Sequence, residues 1–363
     1  MKRRLVIRLL TVVLSAGLVT GLGGCGCNEL GYVTSAALGE LDLLLSAVPI
    51  EQGLDDPTLD DEAREKLQLV LLARDYAEEV IGLNVGNSYR TFVNLHGEPL
   101  AWNLSASRKD AIEAYYWRLP VVGPISYLGY FEFDQVEAER DRLVELGYDT
   151  FIYELDAYST LGWLPDPVTS AMFRRGIISL VDTVIHELLH NTIYRADNPV
   201  FSESLAVFVG RTGAIEFLGE QFGEGSDWAQ RAGNTYQDSD RFNLYLAELR
   251  AELETLYGSD LGREEIIQAR QPVFENARTR IAEELLPELF YPESYEPYTT
   301  VTLNNAFLLV NVRYNSDLEL FEEVFELVDR DWKRALAVFR QAAAASSPFA
   351  YMDRWVSDHS VGG

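Results

Sequence analysis

The stretch from Val181 to Val209 decides both the fold and the chemistry, and it reads V-D-T-V-I-H-E-L-L-H-N-T-I-Y-R-A-D-N-P-V-F-S-E-S-L-A-V-F-V. It contains the pattern H-E-x-x-H, formed by His186, Glu187 and His190. On an α-helix, residues four apart share one face and lie about 6 Å apart along the axis. The two imidazole rings can therefore hold one Zn²⁺, with Glu187 beside it to take a proton from water.

Apolar residues surround this pattern and predict that its helix is buried in a sizeable core. They are Ile177, Ile178, Leu180, Val181, Val184, Ile185, Leu188 and Leu189.

A catalytic zinc ion needs a third protein ligand, and Glu203 is the candidate. It lies in the next helix-like run, S-E-S-L-A-V-F-V, and only four histidines occur in the whole chain. Two histidines and a glutamate would bind one Zn²⁺ per chain and leave the fourth coordination position open for water. In the alternative interpretation, His186 and His190 are core histidines and Glu203 is a first-turn glutamate.

Composition limits the class of protein and the kind of metal site. The chain has 363 residues, of which 47% are hydrophobic and 12% aromatic, as is typical of a folded globular protein. Its formal net charge of −27 makes nucleic acid an unfavourable partner. The two cysteines, Cys25 and Cys27, precede the folded body, so any metal there must use histidines and carboxylates.

The first 24 residues are predicted to be a secretory signal. A basic start is followed by an apolar stretch from Leu5 to Thr20, interrupted only by Arg8. The run Leu22-Gly23-Gly24-Cys25 resembles a bacterial lipobox, in which the cysteine is lipidated and becomes the new N-terminus. The alternative is an uncleaved transmembrane anchor.

This leader predicts a location in the bacterial cell envelope. A lipid on Cys25 would hold the mature chain, residues 25–363, on a membrane and facing away from the cytoplasm. An Asp directly after the lipidated cysteine would resemble an inner-membrane retention signal. This chain has Gly26 at that position instead, which favours the outer membrane if the source is Gram-negative.

Beyond the leader the pattern predicts an α+β fold that is mainly helical, in a single domain with a possible helical subdomain over 214–363. Short β-like runs between Ser88 and Tyr130 predict a small sheet. A further strand is predicted in Phe151–Gly162, before the H-E-x-x-H helix. It is either an edge strand that pairs with an extended peptide substrate or a plain core strand.

Several motifs recur in one order and together resemble the bacterial predicted aminopeptidase family of zinc-dependent lipoproteins. They are Gly39-Glu40-Leu41 with Pro49-Ile50, Tyr158-Ser159-Thr160-Leu161-Gly162-Trp163 with Asp166-Pro167, the H-E-L-x-H pattern with Tyr194, Glu203 with Ala206, and Asn304-Asn305-Ala306 with Tyr314. The resemblance spans nearly the whole mature chain.

This resemblance implies a zincin-like fold, with a small sheet beside the H-E-x-x-H helix, and a gluzincin-like site. His186, His190 and Glu203 would be the zinc ligands and Glu187 the general base. One departure is Ser202, where the family pattern leads us to expect an Asn that could bond a ligand or the substrate backbone.

Peptide hydrolysis at such a site needs further polar groups. A donor must stabilise the tetrahedral oxyanion, and the candidates are Tyr314, Tyr194 and Tyr158. Tyr314 is preferred because the Asn304–Tyr314 element is family-like yet holds no zinc ligand. Tyr194 could instead pack against the next helix.

The sequence offers several candidates for the residues that contact the substrate or orient a zinc ligand. An aminopeptidase needs a carboxylate for the substrate's α-ammonium group, and Glu154, Asp156 and Asp166 all precede the zinc helix. Asp182, one turn before His186, could orient that ring or simply be a polar residue near the helix start. His96 and His359 lie in turn-like and C-terminal stretches and are predicted to be non-functional.

Three functions are compatible with these observations. The first is a lipid-anchored zinc peptidase acting on peptides, with exopeptidase favoured over endopeptidase. The second is a zinc amidase or endopeptidase acting on other envelope substrates. The third is a catalytically inactive zinc-binding lipoprotein that serves as a binding or structural module. Glu187 argues against the third, because a structural zinc site needs no base and usually has four protein ligands.

Overall fold

The computed structural model describes residues 27–119, 123–157, 165–223, 226–311 and 318–360. Within them the protein is mainly helical and carries small sheets, so the predicted α+β class is confirmed. No helix in this part of the chain is long and apolar enough to cross a membrane. The predicted leader, Cys25, Tyr158 and Tyr314 lie outside the described residues.

The α-helices are α1 (Cys27–Ser46), α2 (Ile50–Leu54), α3 (Asp61–Tyr76), α4 (Phe133–Glu145), α5 (Gly176–His190), α6 (Pro199–Phe222), α7 (Trp228–Tyr257), α8 (Arg263–Arg280), α9 (Asn305–Asn311), α10 (Leu318–Leu327), α11 (Trp332–Ala344) and α12 (Pro348–Ser360). The strands are β1 (Val48–Pro49), β2 (Thr91–Val93), β3 (Ala101–Ser107), β4 (Trp117–Leu119), β5 (Gly123–Ile125), β6 (Tyr127–Tyr130), β7 (Asp149–Leu155) and β8 (Val168–Thr169).

The chain divides into two compact units, each built from separated segments. The first unit comprises Met1–Ala47, Gly97–Asp156 and Arg241–Val312, and the second comprises Val48–His96, Ala157–Asp240 and Arg313–Gly363. A single domain over residues 25–363, and a helical subdomain within it, stay predictions.

Helices α5 and α6 pack in the core of the second unit together with α3, α10 and α11. The predicted apolar face of α5 is buried at Leu180, Val181, Val184, Ile185, Leu188 and Leu189. The next helix begins at Pro199, whose fixed φ suits the first helical position. The side chain of Asn198 caps it by accepting a hydrogen bond of 3.1 Å from the backbone N–H of Phe201. These signals fix where α6 starts and hence where Glu203 lies.

A small sheet of order β1-β2-β8 leads into α5. Strand β2 pairs in parallel with β8, with Phe92 opposite Val168. After β8 the chain makes a 3₁₀ turn over Ser170–Arg175 and reaches Gly176, whose φ of 83° a side chain would disfavour. Helix α5 therefore starts at a position that the sheet determines.

The first unit contains an antiparallel sheet of order β6-β3-β7. Strand β7 lies at its edge, so the predicted strand is confirmed from Phe151 to Leu155, while residues 158–162 lie outside the described part. Pairing of this edge with a peptide substrate stays a prediction.

A buried polar network holds β7 in this unit. Arg270 donates to Asp149 at 2.8 Å, and the backbone N–H of Asn305 donates to the same carboxylate at 3.1 Å. The Asn304 side chain donates to the carbonyl of Thr150 at 3.0 Å. The family-like pair of asparagines thus joins α9 to β7.

Candidate metal centre

His186, His190 and Glu203 come together in the second unit, as the sequence predicts. His186 Nε2 lies 3.4 Å from Glu203 Oε2, and His190 Nε2 lies 3.6 Å from Glu203 Oε1. The two imidazole rings are nearly perpendicular, with centroids 5.0 Å apart. One donor atom from each residue falls within 4.8 Å of the others, so this group could hold a metal ion.

The donors fit a catalytic metal site better than a closed structural one. The side chain of His190 is 5% exposed, whereas those of His186 and Glu203 are 20% and 25% exposed. Imidazole nitrogens and a carboxylate suit Zn²⁺ and related divalent ions, and three protein ligands leave a coordination position open. His190 Nδ1 is buried without a hydrogen-bond partner in the described part of the chain.

In the absence of metal, His186 and Glu203 form an ion pair. Burial alone would lower the pKa of His186, but contact with Glu203 and the charges of Glu187, Glu203 and Asp182 raise it to about 9. Burial opposes ionisation of Glu203, and the two histidines nevertheless lower its pKa to about 2. A bound cation would therefore replace a proton that His186 otherwise holds at neutral pH.

Glu187 is next to the first histidine and is partly buried. Burial is the largest cause that raises its pKa above the usual range, and the carboxylates of Glu203 and Asp166 add to the rise. The two histidines act in the opposite direction. A carboxylate with a raised pKa is suited to accept and release a proton near neutral pH.

Hydrogen bonds to α6 and to the C-terminal end of α11 stabilise the loop between α5 and α6. The backbone N–H of Arg195 donates to Ser202 Oγ at 2.8 Å, and Ser202 is fully buried. The Arg195 side chain donates to the carbonyls of Ala343, at 3.1 Å, and of Ala345. Ser202, the departure from the family pattern, thus stabilises the loop that connects the ligand helices.

Asp182 lies close to both His186 and the next helix. A methyl group added at Gly210 of α6 would collide with Asp182 Oδ1 and lie 3.2 Å from His186 Cβ. Burial raises the pKa of Asp182, while the charges of His186 and Arg211 oppose that rise. An orienting role of Asp182 for the His186 ring stays a prediction.

Of the other predicted residues, Tyr194 lies near the three candidate ligands, whereas His96 and His359 do not belong to them. Tyr194 is 40% exposed, and its ring meets the His190 ring edge-on at 5.6 Å, so it lies beside the metal group. His96 occupies a turn with φ of 53°, and His359 stacks on Trp355 at 4.0 Å. Neither histidine belongs to the metal-binding group found among the described residues.

Sequence reasoning missed Tyr89. It belongs to a run that the sequence predicts as a strand, yet its φ is 57° and its side chain is only 1% exposed. Its hydroxyl has no hydrogen-bond partner in the described part of the chain. The carboxylates of Glu187 and Asp166 are its electrostatic neighbours. No local sequence signal could have found it, because this neighbourhood depends on strand pairing.

The fold and this site define an α+β protein whose His-His-Glu group is able to bind a metal ion. No curated protein and no solved structure matches the chain significantly. A family model described as putative aminopeptidase does match, over residues 31–348. The chain belongs to this putative aminopeptidase family, and its membership supports a peptidase activity.

Proposed function

We propose that this protein is a zinc-dependent aminopeptidase with a zincin-like active site, in which His186, His190 and Glu203 bind one Zn²⁺. The grouping of these three donors within 4.8 Å, next to Glu187 with its raised pKa, carries the proposal. Two histidines from one helix and a glutamate from the next are the gluzincin type of ligand set. Family membership independently favours peptide substrates.

Bound zinc would supply a Lewis acid that polarises the scissile carbonyl and makes water a stronger nucleophile. The carboxylate of Glu187 takes a proton from the attacking water and later donates it to the leaving amine. Its raised pKa brings both transfers closer to neutral pH. Tyr314 is our proposed donor to the oxyanion, by its place in the family-like Asn304–Tyr314 element.

The protein is further proposed to act in the bacterial cell envelope, anchored by a lipid on Cys25. The basic and apolar leader and the lipobox-like run before Cys25 support this location.

The function is tested by hydrolysis of short peptides with free amino termini. We expect the wild type to cleave them and Glu187→Gln to lower kcat by about 10²- to 10⁴-fold while keeping its metal. Glu203→Ala should lose metal and activity together, because it removes a ligand. Tyr314→Phe should lower kcat with little change in metal content.

The matched control is Glu220→Gln, an exposed glutamate on the same helix as Glu203. It should retain wild-type activity. Full activity in Glu187→Gln would contradict the proposed base, and a folded, metal-loaded wild type that cleaves no peptide would favour the binding-protein interpretation.

A further inference from the structure

Strand pairing brings Tyr89 and Asp166 together at the start of two neighbouring strands. Because β2 and β8 run in parallel, with Phe92 opposite Val168, the residues just before them are also adjacent. The backbone N–H of Tyr89 donates to the carbonyl of Asp166 at 2.7 Å, which extends the pairing by one bond. Both side chains are almost fully buried, with 1% and 3% exposure.

Hydrogen bonds connect this pair to the Glu187 side of α5. Ser88 Oγ donates to Asp166 Oδ2 at 3.4 Å, and Asn191 Nδ2 donates to Ser88 Oγ at 3.4 Å. Asn191 follows Glu187 by one helical turn, so the two residues share a face of the helix. Asp166 and Glu187 are also mutual electrostatic neighbours, since the charge of Asp166 contributes to the raised pKa of Glu187.

Two polar atoms in this cluster are buried without a partner in the described part of the chain. They are the hydroxyl of Tyr89 and Oδ1 of Asn191. Burial, reinforced by the charges of Glu187 and Asp166, raises the pKa of Tyr89 well above its ordinary value, so the hydroxyl stays protonated. Buried polar groups normally have partners, and such exceptions mark positions where a ligand can supply one.

We propose that Asp166, Tyr89 and Asn191 form the subsite that binds the free α-ammonium group of the substrate. This inference rests on the proposed peptidase function and assigns the group that makes it an aminopeptidase. Asp166 supplies the negative charge, and Tyr89 and Asn191 supply acceptor oxygens. An ammonium group has three N–H donors, so it can donate one hydrogen bond to each of the three residues.

The chemistry of the reaction requires such a subsite near the general base. In a substrate that loses its first residue, only the Cα atom separates the α-nitrogen from the scissile carbonyl carbon. The group that binds the ammonium must therefore adjoin Glu187, which acts on water at that carbonyl. Of the three carboxylates that the sequence offers, Asp166 lies in the same compact unit as the metal group.

The test compares kcat/KM for a dipeptide amide with a free amino terminus and for its N-acetylated form. The wild type should prefer the free amine, and Asp166→Asn should reduce this preference about 10- to 100-fold by removing a charged partner. Tyr89→Phe should reduce it about three- to tenfold, because it removes one neutral hydrogen bond. Both variants should keep wild-type metal content, and each should lose more kcat/KM on the free amine than on the acetylated substrate.

Asp353→Asn is the charge-matched control, since it removes one exposed aspartate from α12 of the same unit. It should leave the preference unchanged. An Asp166→Asn variant that keeps the wild-type ratio of kcat/KM for the two substrates overturns the inference. This holds when both rates are unchanged and also when both fall equally, because an equal fall means a structural role. If Asp166→Asn does not fold, the ratio of kcat/KM for the two substrates in Tyr89→Phe decides in the same way. A wild type that cleaves neither substrate would instead contradict the proposed function itself.

Discussion

At the scale of single residues, the contact between His186 and Glu203 couples protonation to metal binding. The metal-free group is an ion pair, in which His186 has a pKa of about 9 and Glu203 a pKa of about 2. The ordinary values in an unfolded chain are 6.5 and 4.5. Each shift favours the charged form, so the pair stabilises the metal-free fold only where both residues are ionised.

The pH dependence of this stabilisation follows from the two shifts. The contribution of His186 is complete below its unfolded pKa of 6.5 and is lost as the pH rises through 9. The contribution of Glu203 is complete above 4.5 and is lost as the pH falls through 2. With metal removed by a chelator, the difference in Tm between wild type and Glu203→Gln should be largest between these two unfolded values. A difference that increases from pH 6.5 to pH 9 would contradict the ion pair.

Part of the site could be predicted from the sequence because its geometry is local. His186, Glu187 and His190 lie on one helix, and Glu203 lies near the start of the next. Helical spacing and the cap at Asn198 are therefore enough to predict where these four side chains lie on their helices. Tyr89 and Asp166 could not be predicted in the same way. Their proximity depends on the parallel pairing of β2 with β8, which are far apart in the chain.

At the scale of elements, the close approach of α5 and α6 depends on Gly210. Gly210 follows Glu203 by about two helical turns, so both residues lie on the face of α6 that packs against α5. A side chain there would collide with Asp182 Oδ1 and come within 3.2 Å of His186 Cβ and of the Asp182 carbonyl. The backbone atoms of α5 cannot move away without shifting His186.

Gly210→Ala should therefore destabilise the fold by about 1–3 kcal/mol through overpacking and weaken metal binding. Gly219→Ala is the matched control on the same helix, because its methyl group would lie 3.6 Å from Ala229 Cβ, an ordinary contact. It should stabilise the protein by about 0.5–1 kcal/mol through helix propensity. Thermal unfolding and metal titration measure both effects. Equal behaviour of the two variants would show that α5 and α6 tolerate a wider separation.

Apolar residues at helical spacing predict a long helix over Asp61–Leu83, and α3 lies there, whereas short elements depend on tertiary packing. The acidic run Glu51–Asp60, which contains Gly53 and Pro57, has the composition of a loop, but Ile50–Leu54 forms the short helix α2. Ile50 is fully buried, and Gly53 packs so closely on Phe92 that an added methyl group would lie 2.8 Å from its ring. This contact with β2 outweighs the local loop composition.

At the scale of the whole molecule, the two compact units are assembled from interleaved segments. Composition predicts a folded body but not this division, because each unit combines segments that are distant in sequence. The Asn304–Asn305 pair shows how distant segments combine in the first unit, because Asn304 hydrogen-bonds to Thr150 and Asn305 to Arg108 and Ala111.

The proposed location can be tested on the intact protein. Cys25→Ser removes the thiol that would carry the lipid, so we expect the protein to leave the membrane fraction after expression in a bacterium. Cys27→Ser is the matched control and should leave the protein membrane-bound. Fractionation with immunoblotting measures both, and membrane retention of the Cys25→Ser protein would contradict a lipid anchor at this residue.

The most direct test of the central claim is the number of metal ions bound per chain, measured by elemental analysis after chelation and reloading with Zn²⁺. We expect about one zinc per chain in the wild type and in Glu187→Gln, and far less in His190→Ala and Glu203→Ala, all four being folded by circular dichroism. Peptidase activity of the wild type should disappear on chelation and return with zinc. A folded wild type that binds no zinc, or a Glu203→Ala variant that binds as much as the wild type, would contradict the account.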